Sequence, residues 1–168
     1  MSTAVAEKWV DMARIDVHGP VAVAPEFRLD PNQRAAVLRL EDAIKKLPQV
    51  MCPVKHYFAP GVYVREMFIP AGAVLTGRIH LQDGVTMLLQ GALRFTDGGE
   101  VKDVRAPATW VSPAGAKKAG FALEDSIISG CFANPTDERD LAKIVDLFTC
   151  DTHEEFVAHQ KGLPHVRD

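Results

Sequence analysis

Cysteine is scarce in this chain of 168 residues: Cys52, Cys131 and Cys150 are the only three, and no two of them form a Cys-x-x-Cys pair. An odd number without that spacing argues against a disulfide framework and against a zinc knuckle. Basic residues are not clustered either, since no run of Lys or Arg is longer than two. Several adjacent cations bind a nucleic-acid backbone, so we expect no nucleic-acid polymer as a partner.

Long apolar stretches are also missing. No window approaches the ~18 apolar residues of a membrane span, so we expect no membrane as a partner. The first residues lack a basic region followed by an apolar stretch, which predicts that no signal peptide is present. Together with the few cysteines, these absences favour a cytoplasmic location.

What the chain does have is the composition of an ordinary globular domain. It contains 19 basic and 22 acidic side chains, for a formal net charge of −3, and 47% of its residues are hydrophobic. A chain of this length can bury about two-thirds of its unfolded surface in one core. The acidic excess lies at the end, because residues 135–168 have four basic and eight acidic side chains. An anionic ligand is therefore better placed in the middle of the chain.

Helical spacing occurs near both ends of the sequence. Asp30 and Pro31 have the residue types of an N-cap and a first helical position, and they predict a helix over Pro31–Leu47. Its apolar residues recur every three or four positions: Val37, Leu40, Ile44 and Leu47. The same spacing predicts a helix over residues 137–148, and Thr152–His159 adds a further helical turn.

Between Pro53 and Pro135 the pattern changes to short apolar runs separated by Gly and Pro. Such runs, with turn residues at intervals near ten positions, are typical of a β-sandwich or a small barrel. Asp97-Gly98 indicates a tight hairpin turn between two of them. The predicted strands are Val62–Ile69, Val74–His80, Val85–Leu89, Ala92–Thr96, Val101–Arg105, Thr109–Ser112, Ala119–Leu123 and Ser126–Ala133.

A short internal repeat lies within this region. The sequence Pro-Ala-Gly-Ala at Pro70–Ala73 recurs 43 residues later at Pro113–Ala116, and a second Gly follows each copy four positions on. Pro fixes φ, and Gly reaches backbone conformations that other residues avoid, so both copies predict tight strand-to-strand turns. A two-fold repeat of turn and strand is typical of a double Greek-key barrel.

The residues around the repeat resemble the cupin superfamily. The first matching stretch runs from Ile69 through Gly77-Arg78-Ile79-His80 to Gly91, and the second runs from Ser112 to Lys118. Cupins have a first motif of Gly, two His separated by one residue, an acid and a Gly, and a second motif of Pro-x-Gly with a His three residues later. The resemblance covers roughly residues 53–134. The wider pattern is similar to that of small cupin-like proteins encoded by tailed bacteriophages.

The resemblance implies a mainly β fold: a single cupin-like double-stranded β-helix, or jelly-roll barrel, with flanking N- and C-terminal helices. We expect an N-terminal extension at residues 1–29, an amphipathic helix over 30–52, the barrel over 53–135 and a C-terminal helical segment over 136–168. The helix of 30–52 packs on the barrel or on a partner subunit. A homodimer or higher homo-oligomer is expected, because cupins commonly pair through sheet edges and the apolar helix stripe offers a second contact.

The resemblance also implies where a metal would lie. Aligned on Gly91 and on Pro113-x-Gly115, the four cupin metal-ligand positions are here Arg78, His80, Gly84 and Lys118. His80 alone can ligate a metal, and the two cations would repel one. We therefore expect no cofactor, and a divalent metal held through His80 remains a minor alternative.

The same positions suit an anion. Arg78 and His80 lie two apart on a predicted strand, so they share a face with Thr76 and point inward if the barrel's polar face is inward. A guanidinium, an imidazole and an ammonium together suit a carboxylate, phosphate or nucleotide-like ligand. Gly84, in place of the acid, leaves room for it. The predicted ligand-binding residues are Arg78, His80, Lys118, Thr76, Thr86, His56 and Tyr57, the last two at the barrel mouth. The alternative is that these side chains face solvent or have structural roles.

Three functions remain open. The first is binding of a small anion in the barrel without catalysis, which in a phage setting would sequester a host metabolite or signalling molecule in the host cytoplasm. The second is a divergent metal-dependent enzyme, isomerase or dioxygenase-like. The third is a structural or assembly protein of a phage. The sequence offers no convincing nucleophile–base pair, which favours a protein that is not an enzyme.

Overall fold

A computed structural model describes residues 31–97 and 100–162. The predicted extension at residues 1–29 and the predicted turn residue Gly98 lie outside this part of the chain. The helices are α1 (Pro31–Ile44), α2 (Leu141–Phe148) and α3 (His153–Gly162). The strands are β1 (Val54–Ala59), β2 (Gly61–Ile69), β3 (Val74–Thr76), β4 (Ile79–His80), β5 (Gly84–Gln90), β6 (Ala92–Asp97), β7 (Glu100–Arg105), β8 (Ala108–Ser112), β9 (Ala119–Ala122), β10 (Ser126–Asn134) and β11 (Thr149–Cys150).

Two antiparallel sheets form the body of the molecule. The larger sheet has the strand order β1-β2-β10-β5-β8, and the smaller has the order β3-β9-β6-β7. A short pair, β11-β4, joins the strand after the first repeat to the segment between α2 and α3. The strand order is non-sequential, as in a jelly roll, and a core of apolar side chains lies between the two sheets. The predicted fold class, a mainly β cupin-like barrel with flanking helices, is confirmed.

Most predicted strands are present, with three differences: one predicted strand is divided, and neither β1 nor β11 was predicted. Val74–His80 is not one strand, because the ladder stops after Thr76 and resumes at Ile79. In the interval, the Gly77 amide donates to the Lys118 carbonyl at 2.9 Å, outside any regular ladder. Strand β1 was not predicted, although its residues alternate between half-buried and exposed as a half-buried strand requires. Pairing of Asp97 with Glu100 brings β6 and β7 together as the predicted hairpin.

The helices pack on the barrel rather than projecting from it. Helix α1 ends at Ile44, before the predicted end at Leu47, and lies against β3 with Val37 buried. Helix α2 begins after the N-cap Asp140, whose carboxylate accepts from the Ala142 amide. Its apolar face, together with barrel residues, forms an aromatic cluster of Tyr63, Ile144, Phe148, Phe58 and Phe132. Three helices therefore cover parts of the barrel that would otherwise expose apolar side chains. In the described ranges, no helix combines the length and the apolarity needed to cross a membrane.

The two copies of the repeat form equivalent turns. Gly72 has a φ of +81° and Gly115 a φ of +83°, which are left-handed conformations that favour glycine. Each Gly amide donates at 2.8 Å to a strand carbonyl of the opposite half, Gly72 to Ala122 and Gly115 to His80. The amide before each Gly donates at 2.8 Å to an aspartate, Asp125 in the first turn and Asp83 in the second. The predicted pair of tight turns thus closes the two halves of the barrel on each other.

Candidate functional site

A cavity of about 210 Å³ lies inside the barrel, and both sheets contribute to its wall. Its polar lining consists of Arg65, Arg78, His80, Thr86, Ser112 and Lys118. Its apolar lining includes Met67, Ile69, Leu75, Leu93, Phe95, Trp110, Ile128 and Phe132. Among the described residues that line it, three are cations and none is Asp or Glu. The cavity therefore combines an apolar wall with an excess of positive charge.

His80 lies at the end of β4, where its backbone is fixed by hydrogen bonds to two residues of the second turn. Its amide donates to the Ala116 carbonyl at 3.1 Å and its carbonyl accepts from the Gly115 amide. The ring meets Phe132 edge-on, with centroids 5.8 Å apart, and its Nδ1 is buried without a hydrogen-bond partner in the described part of the chain. Burial, together with the charges of Lys118 and Arg65, lowers the His80 pKa to about 4. The imidazole is therefore neutral near pH 7.

Arg78 connects the cavity wall to the C-terminal segment. Its Nε donates to Asp151 at 2.7 Å and its Nη1 donates to Asp146 at 3.1 Å. The side chain is about one-third exposed, and both carboxylates are largely exposed. Two acids thus balance the charge that Arg78 brings to the cavity.

Lys117 and Lys118 are adjacent and point in opposite directions. The Lys118 ammonium lies over the Phe95 ring, 5.1 Å from its centroid, within the cavity wall. The Lys117 side chain is 3% exposed, and its ammonium lies 3.0 Å from the Gly77 carbonyl and 2.8 Å from a Glu41 carboxylate oxygen. Lys118 therefore contributes to the cavity, and Lys117 holds α1 on the barrel.

Hydroxyls and an indole lie further along the wall. Thr86 and Ser112 are buried on the neighbouring strands β5 and β8, and their hydroxyls lie 2.9 Å apart. Trp110 stacks on Phe95 with ring centroids 5.3 Å apart. Its Nε1 is buried and has no hydrogen-bond partner among the described residues. This part of the wall therefore combines two hydroxyls that bond to each other with two stacked aromatic rings.

Phe132 occupies the space that Gly84 was predicted to leave open. A Cβ on Gly84 would lie 2.8 Å from Phe132 Cε1, and one on Gly130 would lie 2.8 Å from Phe132 Cε2. Both distances are shorter than real Cβ contacts, so both glycines are needed where the ring lies. The prediction that Gly84 makes room for a ligand is therefore wrong, because an aromatic ring fills that room.

Four of the seven predicted site residues line the cavity together: Arg78, His80, Thr86 and Lys118. Thr76 does not line the cavity, whereas its two neighbours in the sequence, Leu75 and Gly77, do. The predicted common face of Thr76, Arg78 and His80 is wrong, because the chain leaves the strand after Thr76 and the two-residue alternation is interrupted before Arg78.

The two residues predicted at the barrel mouth lie elsewhere. His56 is half-buried, and its Nδ1 is 2.8 Å from the Tyr63 hydroxyl. Tyr57 is 48% exposed on the other face of β1. Neither is among the residues that line the cavity.

Sequence reasoning missed Arg65, Ser112 and Phe132 as cavity residues. Strand alternation could have placed Arg65 with Met67 and Ile69 on the inner face of β2. The two glycines that accommodate Phe132 lie 46 residues apart in the sequence, so no local pattern joins them.

The residues at the cupin metal positions do not fit a metal centre. A guanidinium and an ammonium have no lone pair to donate, and Phe132 occupies the space beside Gly84. His80 is therefore the single donor of the set. Within residues 31–97 and 100–162, no group of three His, Cys, Asp or Glu side chains is placed to hold a metal ion.

Comparison with solved structures finds proteins of similar fold. KdgF from Halomonas sp. is 22% identical, with a TM-score of 0.45 over 55% of this chain and 86% of that one. A cupin superfamily protein from Desulfitobacterium hafniense is 13% identical, with a TM-score of 0.41 over 52% and 83%. A cupin-2 domain protein from Shewanella frigidimarina is 14% identical, with a TM-score of 0.42 over 60% and 98%. No protein-family model matches the sequence, and neither does a curated protein.

Proposed function

We propose that the barrel binds a small organic anion and does not transform it. The observation that carries this proposal is the charge of the lining: Arg65, Arg78 and Lys118 face a cavity whose described lining residues include no acid. A cavity with low-dielectric walls and one sign of charge concentrates ions of the opposite sign. The ligand class that complements it is an anion.

The positive charge is unevenly distributed. Arg78 is balanced by Asp146 and Asp151, so it adds little net charge. None of the ion pairs found among the described residues includes Arg65, which lies close enough to His80 to lower its pKa. Lys118 lowers the same pKa more strongly. We therefore assign the anionic group of the ligand to the space between Lys118, Arg65 and the neutral His80.

The rest of the wall selects the ligand body. Phe95, Trp110 and Leu93 line the same cavity, and the Lys118 ammonium lies over the Phe95 ring. An apolar cavity of about 150 Å³ holds a benzene ring, so about 210 Å³ holds a ring with one carboxylate. A whole nucleotide is larger and would extend out of the cavity. A compact carboxylate with an apolar body is therefore a better match than a nucleotide.

The arrangement favours binding over catalysis. The Thr86 and Ser112 hydroxyls bond to each other, and His80 Nδ1 has no hydrogen-bond partner in the described ranges. Nucleophilic catalysis requires a hydroxyl or thiol within hydrogen-bond reach of its base. In the proposed role the protein holds a metabolite reversibly, as a sequestering protein does.

Calorimetric titration with four probes tests the proposal: benzoate, acetate, phosphate and the neutral benzyl alcohol. We expect benzoate to bind at pH 7 with a Kd on the order of 0.1–1 mM, which is typical for about nine heavy atoms, and the other three to bind more weakly. The variant Lys118→Met should weaken benzoate binding at least tenfold because it removes the charge and keeps the apolar length. Lys102→Met, on the exposed strand β7, is the matched control and should bind as the wild type does.

Equal affinity for benzoate and benzyl alcohol would contradict the anion site. Unchanged benzoate affinity in both Lys118→Met and Arg65→Ala would contradict the assignment of the anionic group. The absence of heat from all four probes at 10 mM would contradict the proposed ligand class.

A further inference from the structure

Arg78 lines the cavity and is held from outside by two aspartates. Its Nε donates to Asp151 and its Nη1 donates to Asp146, and neither aspartate is among the residues that line the cavity. Neither hydrogen bond uses the Nη2 nitrogen of the guanidinium. The cavity region at Arg78 therefore combines one positive charge with two negative charges, and its local net charge is −1.

Regular structure positions both aspartates. Asp146 lies on α2 between Ile144 and Phe148, which are 0% and 3% exposed. Asp151 directly follows Cys150, whose strand β11 pairs with β4, the strand that begins one residue after the arginine. The same contacts that dock α2 and β11 on the barrel therefore bring the two carboxylates to the guanidinium.

The second aspartate has an electrostatic consequence. Elsewhere in the described part of the chain, Arg94 pairs with Asp103 and Arg105 pairs with Glu124, so each of these guanidinium groups has one carboxylate. Exposed ion pairs contribute little to stability, and a second acid at Arg78 therefore adds little to the docking of the helix. What the second acid changes is the sign of the local charge, from neutral for a single pair to negative.

The region at Arg78 differs from the one assigned to the anionic group of the ligand. Lys118 and Arg65 lower the His80 pKa, and Arg78 is not among the charges that do so. The Arg78 side chain is one-third exposed and bonds to acids near the surface. A ligand that spans the cavity therefore presents its anionic group to one region and another group to Arg78.

We propose that Asp146 and Asp151 determine specificity: they restrict the cavity to ligands with a single negative charge, whose group at Arg78 is uncharged. The inference rests on the proposed function and narrows its ligand class to monoanions. A second carboxylate at Arg78 would be attracted by one guanidinium and repelled by two carboxylates. Its lost hydration would then have no net attraction to offset it. A neutral amide or alcohol oxygen loses less hydration and can still accept from Arg78 Nη2.

The exposure of the aspartates predicts how this selectivity depends on salt. The Asp146 side chain is 71% exposed and the Asp151 side chain 69%. Dissolved ions screen charges that are this exposed. The preference for a monoanion over a dianion should therefore be largest at low ionic strength and should decrease as salt is added.

Calorimetric titration of the full chain at low salt tests the proposal with two pairs of probes. Each pair consists of a dicarboxylate and its monoamide, which have the same shape: isophthalate with 3-carbamoylbenzoate, and the smaller succinate with succinamate. We expect the wild type to bind each monoamide at least about tenfold more tightly than its dicarboxylate. In the double variant Asp146→Asn/Asp151→Asn this ratio should fall below about threefold, because the dicarboxylate gains more affinity than the monoamide does.

Two further variants show where the effect arises. Asp103→Asn/Glu124→Gln is the matched control, since it also removes two carboxylates that pair with exposed arginines, and it should keep the wild-type ratio. Adding Arg78→Met to Asp146→Asn/Asp151→Asn should restore a ratio of about tenfold, because the cation that attracts the second carboxylate is then lost. Circular dichroism and benzoate binding check that each variant is folded.

The outcomes separate this inference from the proposed function. A wild type that binds both members of a pair equally would overturn the inference, and so would a ratio that Asp146→Asn/Asp151→Asn leaves unchanged. A ratio that falls as far in Asp103→Asn/Glu124→Gln would also overturn it, because the effect would then come from net charge alone. In all three cases benzoate binding would leave the proposed function intact. Failure of the wild type to bind benzoate and both monoamides would contradict the proposed function and this inference together.

Discussion

The two halves of the barrel share a turn and differ in the strand that follows it. Pro70–Ala73 and Pro113–Ala116 have the same backbone conformation and matching hydrogen bonds. The carbonyl that accepts from Gly115 belongs to His80, and the carbonyl that accepts from Gly72 belongs to Ala122. An imidazole in one half therefore corresponds to a methyl group in the other. The turns set the closure of the barrel, and the strands after them set the chemistry of the cavity.

The two halves should differ most in the free energy of unfolding that is lost when each turn glycine is replaced by alanine. Gly115→Ala should lower the free energy of unfolding by about 2–4 kcal/mol, because the left-handed φ disfavours a Cβ and that Cβ would lie 3.1 Å from Phe156 of α3. Gly72→Ala should cost about 1–2 kcal/mol, since it has the same φ cost and no neighbour within 4 Å. Urea unfolding measures both. Equal losses would show that α3 does not restrain the second turn.

The second-largest expected effect is a pH dependence of stability that comes from His80. Its counterpart in the other half, Ala122, does not titrate. The His80 pKa is lowered from 6.5 to about 4, so folding disfavours its charged form. This neutral imidazole therefore contributes stability that is present above pH 6.5 and is lost as pH falls towards 4. The loss is up to about 3 kcal/mol. Comparing the wild type with His80→Gln by urea unfolding at pH 7 and pH 4 should show the extra loss only in the wild type, and parallel pH profiles would contradict it.

The smallest expected loss of stability comes from removing the aspartate that binds each turn, and it should be the same in both halves. Asp83 and Asp125 each accept one turn amide at 2.8 Å from an exposed position. Asp83→Ala and Asp125→Ala should each lower the free energy of unfolding by about 1 kcal/mol, because an exposed hydrogen bond has a modest net value. Values that differ by more than about 1 kcal/mol would show that the aspartates have unequal roles, and the comparison of the turns would then fail at this point.

Local chemistry explains what the sequence could predict. Pro-Ala-Gly-Ala specifies a turn within four residues, so both turns were predictable. The strands between them were recognisable from apolar runs bounded by Gly and Pro. Arg78, His80, Thr86 and Lys118 were placed together through a resemblance that rests on those same turns and strands.

Non-local contacts explain what the sequence could not predict. Thr76 is outside the cavity because the ladder breaks after it, and the break depends on a hydrogen bond between Gly77 and Lys118. Lys117 and Lys118 lie in the segment between β8 and β9, and the partner of Lys117 is Glu41 on a helix far away in the sequence. The balance of Arg78 by two aspartates likewise depends on how α2 and the segment after it return to the barrel.

The ring of Phe132 constrains the evolutionary routes open to this site. An acid at position 84 would have its Cβ within 3 Å of the ring, and Phe132→Ala alone would leave a void in an aromatic cluster and cost about 3–5 kcal/mol. Each single step is therefore deleterious, and only the two substitutions together allow a carboxylate beside His80. Positions 84 and 132 are therefore energetically coupled, and a carboxylate at position 84 requires a smaller side chain at position 132.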